Sequence, residues 1–418
     1  MPAARKSAES ITISQARDNI LAAAPRPFAA ERVPLSESVG RVTVQHVCAA
    51  YPLPTYTNSA MDGYAFRYSD AANRENVTLD IAGQSFAGLP CRQKDFTEGQ
   101  CIEIATGAAV PEAFDTVIPF EKCNIDEAAH TIEFSPSDVK CGANIRYEGE
   151  QIRAGQTIVA AGTKLTPQHI ALLAAAGISE VDIFARVRVA IITTGSELVE
   201  PGQPLERFQT YNSNGVMLRA MLKSIGCDVH SSGVLHDSPE EIAEQIACAL
   251  AESDMLILTG GAGNGKFDIS QSQLGSMGTM QPWSINMRPG RPMRFGVIEG
   301  KPVFVLPGNP VAAFVTFLEF VRGALLRMQG LNERLWLTET TALLACDIKK
   351  KAGRAEFMRA KIVGYDKGVP VVEPLKNQSS ADLVMLTQAD VILCLDHAGD
   401  RFSKGDAVRI QSLHEALI

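Results

Sequence analysis

Three apolar runs, each followed at once by a glycine-bearing loop, constrain this chain more than anything else in it. Val187-Arg-Val-Ala-Ile-Ile192 leads into Thr193-Thr-Gly195-Ser-Glu197, and Asp254-Met-Leu-Ile-Leu-Thr259 into Gly260-Gly-Ala-Gly-Asn-Gly265. Val303-Phe-Val-Leu306 leads into Pro307-Gly-Asn-Pro310. A helical stretch follows the first loop from Asn214 to Ile225, ended by Gly226, and another follows the third to about Leu326. Repeated strand, loop and helix predict a parallel α/β sheet with right-handed crossovers, here placed at residues 187–330. All three loops then leave the carboxyl ends of their strands, where open α/β sheets bind ligands.

The flanking segments have other textures. From Ser10 to about Ala50 the pattern is helix then strand, with Ile11, Ala16, Ile20 and Leu21 near helical spacing and Ser14 as the expected cap. Residues 51–140 carry short alternating runs separated by Gly, Pro and Asn, which reads as a β-rich lobe. From 141 to 186 strand and helix return, with a short helix from Gln168 to Ala176 ending at Gly177. Similar textures on both sides make the lobe an insertion into a discontinuous N-terminal region, 10–50 and 141–186. Residues 338–413 are strand-like again and read as a small all-β domain.

Composition excludes several classes. The chain has 39 Lys and Arg against 47 Asp and Glu, a net charge of −8, which argues against a general nucleic-acid binder. The longest apolar stretch, Pro302 to Leu326, is interrupted by Gly308, Asn309, Pro310, Glu319 and Arg322 and does not read as a membrane span. Met1 to Ser10 offer no apolar segment of a secretory signal. Nine cysteines without a C-x-x-C pair point to a reducing cytoplasm rather than a disulfide framework.

Five runs could carry chemistry. In Asn58-Ser-Ala-Met-Asp62-Gly63, turn formers allow a plain surface turn, but Ala60 and Met61 suggest packing that would fix Asp62 to hold a cation or a proton. In Thr193-Thr-Gly195-Ser-Glu197, a hydroxyl and a carboxylate could support a cation, or Glu197 could simply favour a helix start. The loop after Thr259 is rich in glycine, as close backbone approach to a ligand requires, but lacks a P-loop lysine and the dinucleotide spacing. Arg288, Arg291 and Arg294 lie on a loop stiffened by Pro289 and Pro292, so an anion there would be held by side chains. Pro307-Gly-Asn-Pro310 should open a helix with Pro310 at its first position, a place that favours an oxyanion.

Together these runs resemble the MoeA-type molybdopterin molybdotransferase family, which includes the gephyrin E domain. The resemblance spans about Ile11 to Ile410. It rests on Asn58-Ser-Ala-Met-Asp62-Gly-Tyr-Ala65, Thr194-Gly-Ser-Glu197-Leu, Arg288-Pro-Gly-Arg-Pro292 and Leu306-Pro-Gly-Asn-Pro-Val311. Ile104-Ala-Thr106-Gly107, Arg354-Ala-Glu-Phe-Met-Arg359 and Gln378-Ser-Ser380 support it. It implies a multidomain fold with a central parallel α/β molybdopterin-binding domain, an inserted β-rich lobe and a C-terminal β-barrel. It implies an enzyme that inserts molybdenum from molybdate into adenylated molybdopterin, releases AMP and requires Mg2+. Asp62, Glu197 and Asp268 would be catalytic, with Asp62 and Glu197 on the metal. Thr106, Asp237, Arg288, Arg291, Pro307, Pro310, Arg359 and Ser380 would bind substrate. The resemblance implies a homodimer with sites between subunits, and leaves room for contact with an upstream molybdopterin adenylyltransferase and acceptor molybdoenzymes; no nucleic-acid or membrane partner is expected.

The sequence departs from the family at definite places. Two family lysines are Arg288 and Arg291, the acidic residue after Gly149-Glu150 is Gln151, and a hydroxyl after Asn309-Pro-Val is Ala312. The glycine loop, which normally carries a serine and a valine, reads Gly260-Gly-Ala-Gly-Asn264-Gly here. These changes leave a second reading open: a paralogue that carries the pterin cofactor or serves as an interaction protein without catalysing insertion.

Overall fold

The computed structural model describes residues 9–25, 29–235, 239–260, 274–281 and 283–414. The three apolar runs form adjacent parallel strands, Arg188–Thr194, Met255–Thr259 and Lys301–Leu306. A fourth parallel strand, Asp228–Leu235, lies outside the first, and on the other edge Arg294–Ile298 pairs antiparallel with Lys301–Leu306 and Thr279–Met280 antiparallel with Arg294–Ile298. The sheet is therefore mixed, with its parallel strands where the sequence put them. Ile191, Ile257 and Phe304 enter one apolar cluster, while Ile192, Leu258 and Val305 enter another. Both faces are thus covered, as parallel strands require.

Residues 310–328 run as one continuous helical path, α-helical at Pro310–Thr316 and Arg322–Met328 and π-helical at Phe317–Val321. Almost every residue along it is buried. The Thr316 hydroxyl donates to the carbonyls of Ala312 and Ala313, at 2.8 and 3.1 Å, just before the π turn. A hydroxyl bonded back into the preceding turn is a known cause of helix distortion.

The first helix, Ile13–Ala23, buries Ala16 and Ile20 in the same cluster as Val189 and Phe317. Its cap is Thr12, not Ser14. The Gln15 N–H donates to the Thr12 hydroxyl at 3.2 Å, and the Thr12 N–H donates to the Gln15 carboxamide at 2.9 Å. Two otherwise orphaned amides are satisfied reciprocally, which fixes the start two residues earlier than the hydroxyl of Ser14 would. Thr12→Ala should lower unfolding free energy by about 1 kcal/mol in a urea titration, with Ser14→Ala near neutral.

The remaining regions frame this sheet. Ala30–Pro34 pairs antiparallel with Glu180–Phe184 over a cluster that includes Leu165 and Leu173. The lobe is a six-stranded sheet in the order 116–119, 63–66, 100–104, 77–85, 131–134, 124–126. In the C-terminal region five strands close on themselves. Ala355–Asp366 pairs with Val369–Pro374 on one side and Val391–Leu395 on the other, and Glu339–Leu344 and Ala407–Ser412 complete the barrel. The short strand Met287–Arg288 joins its outside, pairing Arg288 with Glu356. No helix among the described residues is long and apolar enough to cross a membrane.

Candidate active site in two parts

One group of expected residues assembles in the lobe. Asp62 sits on the turn between Asn58–Ser59 and Gly63–Phe66. The Ser59 hydroxyl donates to the Met61 carbonyl at 2.6 Å and accepts from the Met61 N–H at 3.2 Å. A Cβ on Gly63 would lie 1.9 Å from the Ile118 carbonyl oxygen, so only glycine fits behind the turn. The opposite wall is Thr106-Gly107, where the Gly107 N–H donates to the Ser59 carbonyl at 2.8 Å. From this wall the Thr106 N–H donates to Asp62 Oδ1 at 2.6 Å. Asp62 is exposed yet tied. Thr106, through its N–H first and then its hydroxyl, holds the Asp62 carboxyl below the ordinary carboxylate value. The loop thus holds the Asp62 carboxylate, in its ionised form, against Thr106.

The second group lies at the carboxyl ends of the central strands. Gly195, at φ +151°, lets the chain fold so that the Glu197 carboxylate lies back against it, within 3 Å of where a Cβ would stand. Glu197 is exposed there. Pro310 does open its helix, and Asn309 precedes it as cap residue without a side-chain capping bond. The Asn309 amide instead donates to the Ser380 hydroxyl at 2.9 Å, and the Ser380 carbonyl accepts from Val311 N at 3.0 Å. Ser380 of the C-terminal region is therefore docked on the Pro307–Pro310 loop. Pro310 has no N–H and that of Val311 is taken, so an oxyanion there depends more on side chains than the helix start alone suggested.

The arginines divide. Arg288 and Arg291 are exposed beside Pro289 and Gly290, and among the described residues Arg288 Nη1 makes a long contact of 3.5 Å to Glu356 Oε1. Arg294 instead opens a strand of the central sheet. Arg359 departs most from expectation: it is 2% exposed. Its Nη1 donates to the carbonyls of Ser379 and Asp382, and its Nη2 to the carbonyl of Asn377 and the Gln378 side chain, at 2.9–3.5 Å. These bonds occupy both terminal nitrogens and shape the loop that carries Ser380. Burial also draws the guanidinium somewhat below its ordinary value.

Asp237 and Asp268 lie outside the described residues, as does the glycine loop after Gly260. No hydrogen bond or ion pair among the described residues joins Asp62 or Thr106 to the groups at the strand ends. Nor do three or more His, Cys, Asp or Glu side chains among them approach closely enough to hold an ion. Sequence reasoning passed over the asparagines that tie the second group together. Their signal was Asn212-Ser-Asn214, two side-chain amides at the start of an amphipathic helix.

A mixed α/β sheet with a built carboxyl end, an inserted β lobe and a closed five-stranded barrel define a multidomain ligand-handling protein. Three family models match it in succession: MoeA N-terminal region (domain I and II) at residues 11–177, probable molybdopterin binding domain at 190–327, and MoeA C-terminal region (domain IV) at 341–413. The chain belongs to the MoeA family. A relative from Haemophilus influenzae named molybdopterin molybdenumtransferase is 33% identical over 407 residues, covering 97% of this chain and all of that one. One of the same name from Nostoc is 34% identical, covering 92% of this chain and 88% of that one. The crystal structure of a molybdopterin biosynthesis MoeA protein from Pyrococcus horikoshii superposes with a TM-score of 0.82 at 27% identity, over 97% of this chain and all of that one.

Proposed function

We propose that this chain is a molybdopterin molybdotransferase: it inserts molybdenum from molybdate into adenylated molybdopterin with release of AMP. The observation that carries this reading is its full-length likeness to relatives named molybdopterin molybdenumtransferase, which supports a transferase role in molybdenum cofactor biosynthesis. The geometry agrees with it. Molybdate and the adenylate are both anions and repel each other unless positive charge intervenes. Arg288 and Arg291 supply fixed, exposed positive charge, and Asn309 and Ser380 supply neutral donors and acceptors.

Magnesium fits the donor set in a limited way. Asp62 and Glu197 are oxygen donors, and Asp62 is held ionised, but the described residues build no cage of protein ligands. Such a set suits an ion that keeps its waters and takes one or two carboxylates plus substrate phosphates. Bound there, Mg2+ would neutralise charge on the phosphate oxygens. The residues' own work is to orient. Thr106 holds Asp62 through its N–H at Oδ1 and through its hydroxyl, and the carboxylate keeps further lone pairs to accept a hydrogen bond from the water that cleaves the phosphoanhydride P–O bond. No hydrogen bond or ion pair among the described residues joins Asp62 to the strand-end loops, and this reading takes the lobe of one protomer to complete the site of its partner in a homodimer. Arg359 acts in it as a positioning residue for Ser380.

The test is AMP release by the purified full chain given adenylated molybdopterin, molybdate and Mg2+. Release that chelator abolishes is the expected result. No AMP above a buffer control, with the pterin still bound, would leave the carrier reading in its place.

A further inference from the structure

Asn214 occupies the second position of the helix Ser213–Ser224 and makes no capping bond; that task belongs to Asn212, which accepts from the Gly215 N–H at 2.9 Å. The Asn214 amide reaches across the sheet instead. Its Nδ2 donates to Thr259 Oγ1 at 2.9 Å and to the Gly308 carbonyl at 2.8 Å. A carbonyl can only accept, so the nitrogen must face Gly308 and the orientation of the amide is determined. The Thr259 hydroxyl, itself buried, donates onward to the Pro307 carbonyl at 3.3 Å. Asn214 Oδ1 is buried without a partner among the described residues, so the two donated bonds alone hold the side chain.

This single carboxamide ties the helix after the first strand to the ends of the other two. The three strands are in register there, Thr193 beside Thr259 and Thr259 beside Leu306. Just beyond Thr259 stands Gly260, at φ +96°, packed so closely on Thr194 that a Cβ would lie 2.3 Å from its carbonyl oxygen. Just beyond Gly308 stands Asn309, which holds Ser380. Moving the amide would therefore move both loops relative to each other.

We propose that Asn214 is a positioning residue for the reaction, setting the relative placement of the Gly260 and Gly308–Asn309 backbones that face the substrate. The proposal rests on the molybdotransferase reading for its kinetic consequence but not for its structural one. In the full chain, Asn214→Ala and the isosteric Asn214→Asp should each lower kcat for AMP release by about 10- to 100-fold, the scale of a misplacement near 1 Å. KM for adenylated molybdopterin should stay within about threefold, since the loss falls on geometry rather than on contact with substrate. Thr259→Val should act in the same direction more weakly, and adding it to Asn214→Ala should cost little more, because both cut one path. Amide hydrogen exchange over residues 307–311, which requires no activity, should quicken in both Asn214 variants. Unchanged exchange there overturns the proposal, as does a kcat within about threefold of wild type or a loss confined to KM. If the wild-type chain releases no AMP, the molybdotransferase reading falls and exchange alone decides on Asn214. If Asn214→Ala fails to fold, Asn214→Asp carries the test.

Discussion

Asp62→Asn should cut the rate of AMP release by about 100-fold or more while leaving binding of the adenylated pterin within about threefold, the pattern of an interaction made in the transition state. The substitution keeps the shape of the side chain, removes its charge and replaces one acceptor oxygen by a donating amide. The Ser59, Gly63 and Gly107 contacts that build the turn do not involve the carboxylate and should survive, so far-UV and near-UV circular dichroism should be unchanged. The pH dependence has a definite sign. Thr106 lowers the Asp62 carboxyl below 3.8, so its charged form is present above that value and is lost only as pH falls through the lowered one. Any acid limb contributed by Asp62 should therefore lie below the ordinary carboxylate range. Thr106→Ala keeps the N–H and loses the hydroxyl, so it should move that limb upward with a milder loss of rate. AMP release by Asp62→Asn at the wild-type rate would sink the assignment and return Asp62 to the role of a turn former.

What could be read from the chain beforehand follows from which forces are local. The three central strands were legible because each is a short, largely apolar run soon followed by glycine or proline. The fourth, Asp228–Leu235, was not, because His230, Ser231, Ser232 and Gly233 interrupt its apolar pattern. It lies at the edge of the sheet, where polar residues cost little. The barrel was legible only as alternating strands, since its closure depends on pairing Glu356 with Leu395 and Ala360 with Val391, far apart in sequence. Asp62 and Thr106 were both named, but the bond between them spans 44 residues and no spacing rule reports it. Arg359 shows the limit most sharply. The resemblance implied that Arg359 binds substrate, and the fold surrounds its guanidinium with four acceptors on residues 377–382 in the interior. Glu319 entered the reading merely as an interruption of an apolar stretch. Folded, it is the one carboxylate inside the π turn, and it faces a cation from the far end of the chain.

Removing that cation is the substitution with the largest expected effect on stability. Arg17 Nη2 lies 2.5 Å from Glu319 Oε2, and Arg17 Nε donates to the Glu319 carbonyl at 3.2 Å. The guanidinium also stacks 4.7 Å from the Trp336 ring centre, and the Glu319 side chain is 2% exposed. Arg17→Ala would leave a buried carboxylate without its counter-ion, a change that typically costs about 3–5 kcal/mol. Burial already pushes the Glu319 carboxyl above its ordinary value of 4.5, against the pull of Arg17. A raised folded-state value means that protonation favours the fold. That stabilisation is complete below 4.5 and fades as pH rises through the folded value. Loss of Arg17 moves the folded value higher still, so the deficit should be smaller near pH 5 than near pH 7.5, where the lone charge must persist or the fold must bind a proton. Glu319→Gln removes the charge, so Arg17→Ala/Glu319→Gln should recover much of the loss and flatten its pH dependence. Urea unfolding of the three variants at both pH values decides the matter. A deficit under about 1 kcal/mol for Arg17→Ala, the scale of an exposed ion pair, would mean that the pair contributes no more than a surface contact. An equal deficit at both pH values without rescue by glutamine would mean that Arg17 acts through its stacking on Trp336 and its bond to the Glu319 backbone rather than through charge.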